Sequence, residues 1–185
     1  MKRNLIAAAS IAAAAIGFSS PAAAEERVCR GTIGPAMLDN VRVPQNASCT
    51  LRRTRVKGTI KVERNASLRA EDVVVIGNVQ AENARSVVVV EGSRIGGSVQ
   101  IVQGGRATVA DSRISGSILY DSNDQQLQVL RNVVDEDVQV FQNLGGVEIR
   151  RNQIDGNLQC KANRPAPVGA GNVVQGNKED QCRRL

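Results

Sequence analysis

The sequence predicts an all-β fold, a parallel β-helix (solenoid) of about 7–8 coils with 19–20 residues per coil. A short phrase returns along the chain, in which an aliphatic residue, a spacer, Gly, a polar residue and a second aliphatic residue follow one another. Apolar residues lie two apart within each copy, which is the alternation of a strand. The central position of the phrase, here called the glycine slot, recurs every 19 or 20 residues and is occupied by Gly58, Gly77, Gly97, Gly116, Glu136 and Gly156.

The first 24 residues have the pattern of a secretory signal peptide. Lys2 and Arg3 precede an apolar run from Leu5 to Phe18, and small residues follow up to Ala24. The run has about 14 residues, fewer than the roughly 20 that cross a bilayer, although a membrane anchor is the alternative. We expect cleavage after Ala24, a secreted or periplasmic protein, and no transmembrane anchor.

The composition of residues 25–185 predicts a thin, layered core. Two of the 24 basic residues lie in the signal segment, which leaves 22 Lys and Arg against 18 Asp and Glu, a net charge of +4. The chain has no His and no Trp, and its only aromatic residues after position 24 are Tyr120 and Phe141. The core must therefore consist of Val, Ile, Leu and Ala. The net charge is modest, and the sequence has no dense stripe of basic residues like that of a nucleic-acid binder, so no nucleic-acid partner is expected.

Apolar residues keep a constant phase relative to the glycine slot, which predicts that they share one interior. Those two positions after the slot are Val41, Ile60, Val79, Val99, Ile118, Val138 and Leu158. Gly, Asn, Asp and Ser bound these short runs of Val and Ile, and no helical stripe intervenes. We expect two or three strands per coil and parallel pairing between coils about 4.8 Å apart. The coils should span 38–163, with an N-terminal cap at 25–37 and a C-terminal cap and last partial coil at 164–185.

A polar column accompanies the apolar ones. Seven positions after the slot lie Asn46, Asn65, Asn123, Asn143 and Asn163. Asn side chains one coil apart can hydrogen-bond along the solenoid, and Asn tolerates the left-handed backbone of a sharp corner. The sequence therefore predicts a structural Asn ladder. Asn46 and Asn65 also begin Asn-Ala-Ser glycosylation sequons, so glycosylation is the alternative for these two residues.

This repeat resembles the right-handed parallel β-helix of pectin-lyase-like proteins, in a short form. The left-handed form usually runs on six-residue units, which do not divide the 19–20-residue period found here. The closing segment, from Asn157 to Lys161 and from Gly171 to Lys178 and Cys182, is similar to the ends of small uncharacterised exported bacterial proteins. The resemblance covers most of the chain after residue 24. It implies a right-handed winding and an exported location, and it brings no known activity.

The four cysteines lie near the two ends of the repeat. Cys29 and Cys49 are 20 residues apart, and Cys160 and Cys182 are 22 apart. Residues one coil apart stack at about 5 Å, within the Cα range of a disulfide. We therefore predict the disulfides Cys29–Cys49 and Cys160–Cys182. Free thiols or zinc ligands are the alternatives, although export favours oxidation and the close cysteine pairs of zinc sites are missing.

Few side chains are suited to catalysis. The commonest general base, His, is missing, and there is no nucleophile elbow, phosphate-binding loop or His–Cys metal motif, so no catalytic residue, cofactor or metal is predicted. Asp135 and Asp155 each precede the slot and should stack on one outer face, where Asp137 joins them. A solvated polar face is the simplest interpretation. A weak Ca²⁺ site and a carboxylate pair that cleaves glycosidic bonds are the alternatives.

Arginines also share columns, which makes them candidates for surface binding. Arg94 and Arg113 stand three positions before the slot, as does Arg55. Stacked guanidinium groups could bind an acidic glycan or a lipid head group. A mixed-charge outer face with pairing between coils is the alternative. The candidates for surface binding are therefore Asp135, Asp155, Arg94 and Arg113.

We expect a non-enzymatic exported β-helix that acts as a scaffold or surface-binding module. Its partner is unknown, and an acidic glycan or another cell-surface component is the class that its charge suits. The copies differ in length by about one residue, so the chain lacks the long loop insertions on which functional sites commonly lie. A glycan-binding or glycan-cleaving protein is the first alternative, and a self-assembling solenoid is the second.

Overall fold

A computed structural model describes residues 25–185, which form one solenoid of parallel β-strands with about eight coils. Each coil contributes one strand to each of three sheets, and the paired strands are all parallel. Within these residues there is no helix. The prediction of an all-β solenoid is therefore confirmed. The expected signal peptide, residues 1–24, lies outside the described residues.

The strands, numbered in chain order, are divided among the three sheets. Sheet 1 contains β1 (Glu26–Val28), β4 (Asn40–Val43), β7 (Ile60–Val62), β10 (Val79–Glu82), β13 (Val99–Val102), β16 (Ile118–Asp121), β19 (Val138–Phe141), β22 (Leu158–Lys161) and β25 (Lys178–Asp180). Sheet 2 contains β2 (Gly31–Ile33), β5 (Ser48–Arg52), β8 (Ser67–Glu71), β11 (Ser86–Val90), β14 (Arg106–Ala110), β17 (Leu127–Leu130), β20 (Val147–Arg150) and β23 (Val168–Ala170). Sheet 3 contains β3 (Met37–Leu38), β6 (Arg55–Val56), β9 (Val74–Val75), β12 (Arg94–Ile95), β15 (Arg113–Ile114), β18 (Val133–Val134), β21 (Gln153–Ile154) and β24 (Val173–Val174).

The coils are numbered from the N-terminus by the strand of sheet 1 that begins them. The segment expected to be a cap, 25–37, contains β1, β2 and the first residue of β3, and its strands pair with coil 2. The expected C-terminal cap contains β23, β24 and β25. Coils 1 to 8 are residues 25–39, 40–59, 60–78, 79–98, 99–117, 118–137, 138–157 and 158–177.

Alternate side chains of each strand point into the solenoid and meet their counterparts one coil away. In sheet 1, Val99 is the register partner of both Val79 and Ile118, and all three side chains are fully buried. Short β-branched and aliphatic side chains fill this narrow interior, which is why the chain folds with so few aromatic residues. Tyr120 is buried among them, and its hydroxyl donates a hydrogen bond to the Gln128 carbonyl at 3.1 Å.

Glycine is favoured at the corner from sheet 3 to sheet 1, because successive coils approach closely there. The Gly77 amide donates to the Gly58 carbonyl at 3.0 Å, and a Cβ on Gly77 would lie only 2.7 Å from that oxygen. Glu136 occupies the slot in coil 6. Among the described residues its amide has no equivalent bond to Gly116, and its carboxylate accepts a hydrogen bond from the Ser117 hydroxyl at 2.9 Å.

The predicted Asn column is divided between the interior and the surface. Asn123, Asn143 and Asn163 are buried at the corner from sheet 1 to sheet 2 and form a ladder, in which each Nδ2 donates to the next residue in the column. Asn46 and Asn65 do not belong to it. They are exposed, adopt left-handed φ angles of 63° and 55°, and pair only with each other at 2.8 Å.

A one-residue shift at the corner explains this division. In coils 2 and 3 the left-handed residue is seven positions after the slot, and the next residue, Ala47 or Ala66, turns inward. In coil 7 the left-handed residue is Gln142, six positions after the slot, so Asn143 takes the inward place. The prediction of one five-member ladder is therefore wrong for Asn46 and Asn65.

The corner from sheet 2 to sheet 3 holds a second buried ladder that the sequence reasoning missed. Asn132, Asn152 and Asn172 are each at most 6% exposed. Asn152 accepts at its Oδ1 from both the amide and the Nδ2 of Asn132, at 2.9 and 3.1 Å, and its own Nδ2 donates to the Val129 carbonyl at 2.8 Å. Both ladders satisfy corner backbone groups that the strand pairing leaves free.

The two ends of the solenoid differ. At the C-terminal end, Gln181 completes the first Asn ladder, Cys182 is buried, and Leu185 packs against the core. At the N-terminal end, Arg27 occupies an inward position of β1, in register with buried Val41, yet is exposed. An inward-facing charge on a terminal strand disfavours further strand addition.

Each end is joined to its neighbouring coil by a cysteine pair. Cys29 is paired with Cys49, with Cα atoms 5.6 Å apart, and Cys160 is paired with Cys182 at 5.3 Å. All four side chains are buried, and no cysteine of residues 25–185 is free. Closing loops of about 20 residues should stabilise each end by about 3 kcal/mol in the chain-entropy model.

Candidate binding surfaces

The four residues predicted as surface-binding candidates lie together on the outer face of sheet 3. This face consists of two columns, which in coils 2 to 8 stand three positions and one position before the glycine slot. The first column is Met37, Arg55, Val74, Arg94, Arg113, Val133, Gln153 and Val173. The second, read from the same repeat, is Lys57, Ile76, Gly96, Ser115, Asp135, Asp155 and Gln175.

Arg94 and Arg113 are direct neighbours, since they are register partners in adjacent strands. Like charges directly opposite each other destabilise a sheet. Arg113 is compensated, because its guanidinium binds both carboxylate oxygens of Asp135 at 2.8 and 3.1 Å. Arg94 is exposed and forms no ion pair within residues 25–185. This pair therefore leaves one positive charge uncompensated at the middle of the face.

The three aspartates do not act as one group. Asp135 is bound to Arg113, and Asp155 is exposed one coil further along. Asp137 belongs to the corner, where its Oδ1 accepts from the Asn157 amide at 2.7 Å. Within the described part of the chain, no group of three or more His, Cys, Asp or Glu could hold a metal ion.

Positive charge is concentrated in coil 2. Residues 40–59 carry five basic side chains and no carboxylate. Arg42, Arg52 and Lys57 form ion pairs with carboxylates of coils 1 and 3. Arg53 and Arg55 are exposed and form no ion pair within residues 25–185. Of these two, Arg55 belongs to a column predicted from the sequence. The sequence signal that marks both residues is the run 40–62, in which 23 consecutive residues include no acid.

Negative charge is concentrated four coils away. Coil 6, residues 118–137, carries five carboxylates and one arginine. That arginine, Arg131, binds Asp111 of the preceding coil through two contacts of 2.6 Å. The guanidinium holds the pKa of Asp111 below its ordinary value, and the carboxylate raises the pKa of Arg131. The solenoid thus carries a basic band at coil 2 and an acidic band at coil 6.

The outer face of sheet 1 carries an open groove of about 820 Å³. Lys61, Gln80 and Gln100 line it along one column, and Glu63 and Glu82 along another. Gln80 donates to Gln100 at 3.4 Å, and Glu63 accepts from Arg42 at 3.4 Å. The groove is polar and of mixed charge, so it offers hydrogen bonds without a strong preference for one sign of ligand.

The outer face of sheet 2 is apolar at its centre and charged on both sides. Val88, Val90 and Leu130 are half-buried there. In coil 3, Glu71 accepts from Arg69 and, at 2.7 Å, from Arg52. These contacts, led by that with Arg69, lower the pKa of Glu71.

Coil 7 carries the second charged pair of this face. Glu148 accepts from Gln128 at 3.1 Å and also from Arg150. Both hydrogen bonds lower the pKa of Glu148, that from Gln128 contributing most. The apolar centre of sheet 2 therefore lies between two acid–arginine pairs.

The chain matches no protein-family model, no curated protein and no solved structure. Within residues 25–185, no helix is long and apolar enough to cross a membrane.

Proposed function

We propose that this chain is an exported, non-enzymatic β-solenoid that binds an anionic polymer, such as an acidic glycan of a cell surface, through the arginines of sheet 3 and its adjoining corner. Export is supported by the signal-like residues 1–24 and by the two cysteine pairs, which are typical of non-reducing compartments. The winding is right-handed, as the resemblance to pectin-lyase-like proteins implies.

One observation carries the proposal. Arg53, Arg55 and Arg94 are exposed and have no carboxylate partner among residues 25–185. Arg53 and Arg55 lie in coil 2, which has five basic residues and no carboxylate, and Arg94 is the register partner of another arginine, Arg113. This concentration of positive charge along one side favours an external anion. A guanidinium binds carboxylate, sulfate or phosphate groups with two parallel hydrogen bonds.

The solenoid supplies fixed spacing for these cations. Arg55 and Arg94 belong to coils 2 and 4, and Arg113 follows in coil 5. Coils repeat about every 4.8 Å, so these side chains lie roughly 10 and 5 Å apart along the axis. Side chains on paired strands need little ordering when they bind a ligand, which favours a repetitive, extended partner.

Binding to a polyuronate and to a sulfated polysaccharide tests the proposal, with neutral dextran as the ligand control. Arg55→Gln and Arg94→Gln should each weaken binding about three- to tenfold, the effect of losing one exposed charge-assisted contact. Arg106→Gln is the matched control, because Arg106 is exposed at the start of β14 in sheet 2 and its substitution removes the same charge. Equal losses in all three variants would show a dependence on net charge alone and contradict a site on sheet 3.

Glycan cleavage is the second candidate function. The stacking of Asp135 and Asp155 on one face favours it, because two carboxylates can act as acid and base or nucleophile. The ion pair of Asp135 with Arg113 opposes it, since that carboxylate is already engaged. Turnover of an acidic polysaccharide that is abolished by Asp155→Asn would establish this candidate, and binding without turnover would exclude it for that polysaccharide.

A further inference from the structure

We propose that the outer face of sheet 2 binds the same face of a second copy of this chain, with the two solenoids antiparallel. The outer side of a sheet that faces water is normally polar. Here Val88, Val90 and Leu130 occupy outward positions in coils 4 and 6, and Ala110, between them in coil 5, is only 4% exposed. This apolar centre is continuous over three coils.

The charges around this centre are self-complementary. Two outward columns run along the face. Column A is Arg69, Val88, Thr108, Gln128 and Glu148. Column B is Glu71, Val90, Ala110, Leu130 and Arg150. The order of charges is thus Arg then Glu in coil 3, and Glu then Arg in coil 7.

The proposed two-fold axis runs parallel to the strands and passes through coil 5. It places each column of one copy over the same column of the second copy, and it brings coil 3 of one copy opposite coil 7 of the other. Arg69 then faces Glu148 of the second copy, and Glu71 faces Arg150. In the centre, Val90 faces Leu130. Each charge of these two columns therefore meets an opposite charge, and Val90 meets Leu130, as an isologous interface requires. Val88 faces Gln128, and at the margin of the face the exposed Arg106 of coil 5 comes near its own copy.

A parallel arrangement would also pair opposite charges within coils 3 and 7, so the remaining charges decide between the two. Parallel solenoids would bring the basic band of coil 2 against its copy, and the acidic band of coil 6 against its copy. The antiparallel arrangement places coil 2 opposite coil 8, which has only two basic residues, and coil 6 opposite coil 4, which has two acids and two arginines. Like charges brought together disfavour association, so the antiparallel arrangement, which brings fewer of them together, is preferred.

The available area suits a modest, reversible dimer. Strands of sheet 2 from coils 2 to 8 cover roughly 34 Å by 16 Å, from the usual spacing of strands and residues. Two such faces bury on the order of 1,100 Å², near the lower limit of specific interfaces. The dimer would leave sheet 3, and with it the arginines of the proposed anion site, open to solvent.

Sedimentation equilibrium of the purified protein and of two charge-swapped variants tests this proposal. The variants are Glu148→Arg with Arg150→Glu, and Arg69→Glu with Glu71→Arg. Each swap keeps an acid–arginine pair within its own coil, although Glu71→Arg also removes the partner of Arg52. Circular dichroism and urea denaturation show whether each variant keeps the native fold, and the swap in coil 7, which leaves Arg52 paired, carries the test if the swap in coil 3 is destabilised. In the antiparallel dimer each swap places like charges opposite each other, and self-association should weaken about tenfold or more. An equimolar mixture of the two variants should recover the native affinity, because each then complements the other.

Two further variants locate the interface. Leu130→Glu should abolish association, whereas Ile76→Glu, which adds the same charge to the exposed face of sheet 3, should leave it unchanged. A native protein that stays monomeric up to about 1 mM would overturn the proposal, since even weak specific contacts form at that concentration. Retention of the dimer by each swap alone would overturn the antiparallel arrangement, and equal effects of Leu130→Glu and Ile76→Glu would overturn the choice of face.

Discussion

Replacement of Asn143 by Ala should destabilise this protein far more than its place in a polar column suggests. The side chain is fully buried and makes four hydrogen bonds. Its Nδ2 donates to the Tyr120 carbonyl at 3.0 Å and to Asn163 Oδ1 at 2.9 Å, and its Oδ1 accepts from the amide and the Nδ2 of Asn123 at 3.0 and 2.9 Å. Alanine would remove all four bonds from the buried corner, and the buried Asn123 amide would lose its partner. At about 1 kcal/mol for each bond, the free energy of unfolding should fall by about 4 kcal/mol.

The surface pair supplies the matched control. Asn65 makes one exposed side-chain hydrogen bond, and its φ of 55° suits glycine, so Asn65→Gly should change stability by less than about 0.5 kcal/mol. Urea denaturation followed by circular dichroism measures both variants. A loss below about 1 kcal/mol for Asn143→Ala, or equal losses for the two variants, would refute the distinction between the buried ladder and the surface pair.

Three further changes probe the coil. Gly77→Ala should lower the free energy of unfolding by about 1–3 kcal/mol, because the new Cβ would lie 2.7 Å from the Gly58 carbonyl oxygen. Glu136→Ala at the equivalent slot should leave the free energy of unfolding nearly unchanged. Urea denaturation compares the two variants. Burial raises the pKa of Tyr120 far above its ordinary value of about 10, so the stability it contributes is full below about pH 10 and is lost as pH rises further. As Tyr120 is the only tyrosine, the tyrosinate absorbance near 295 nm should appear only together with unfolding. Replacing Cys160 and Cys182 together by Ser should cost about 3 kcal/mol, measured by thermal unfolding of the oxidised protein.

Each of these expectations has a contrary outcome. Equal effects of Gly77→Ala and Glu136→Ala would mean that the coils do not approach closely at the slot. Ionisation of Tyr120 near pH 10 with the circular dichroism unchanged would mean that the ring is accessible to solvent. A double cysteine variant as stable as the native protein under oxidising conditions would show that the C-terminal end is held by other contacts.

The interior could be predicted because its period is simple. Strand alternation assigns inward positions, and a repeat of 19 or 20 residues brings equivalent residues together, so Val79, Val99 and Ile118 were expected on one wall. The corners were harder to predict. Moving the left-handed residue by one position turns Asn143 inward and leaves Asn65 outside, and a count from the slot does not register such a shift. The sequence did contain a signal for this shift: Asn46 and Asn65 are each followed by an alanine, and that alanine takes the inward place.

The surfaces could be predicted only in part. The neighbouring arrangement of Arg94 and Arg113 followed from their shared phase. The ion pair between Arg113 and Asp135 could not be predicted in this way, because it depends on the orientation of side chains that reach from one coil to the next. The second ladder appears in the sequence as Asn132, Asn152 and Asn172 at intervals of 20 residues. It could not be predicted from the repeat as a whole, because the same position holds Thr, Val or Ser in coils 2 to 5.

Peptide mapping of the oxidised protein under non-reducing conditions tests most directly whether residues one turn apart along the chain are neighbours in space. The fold described here predicts linked peptides that contain Cys29 with Cys49 and Cys160 with Cys182, since each pair spans one coil. A peptide that links Cys49 to Cys160 would join opposite ends of the solenoid and would contradict the fold and both binding surfaces built on it.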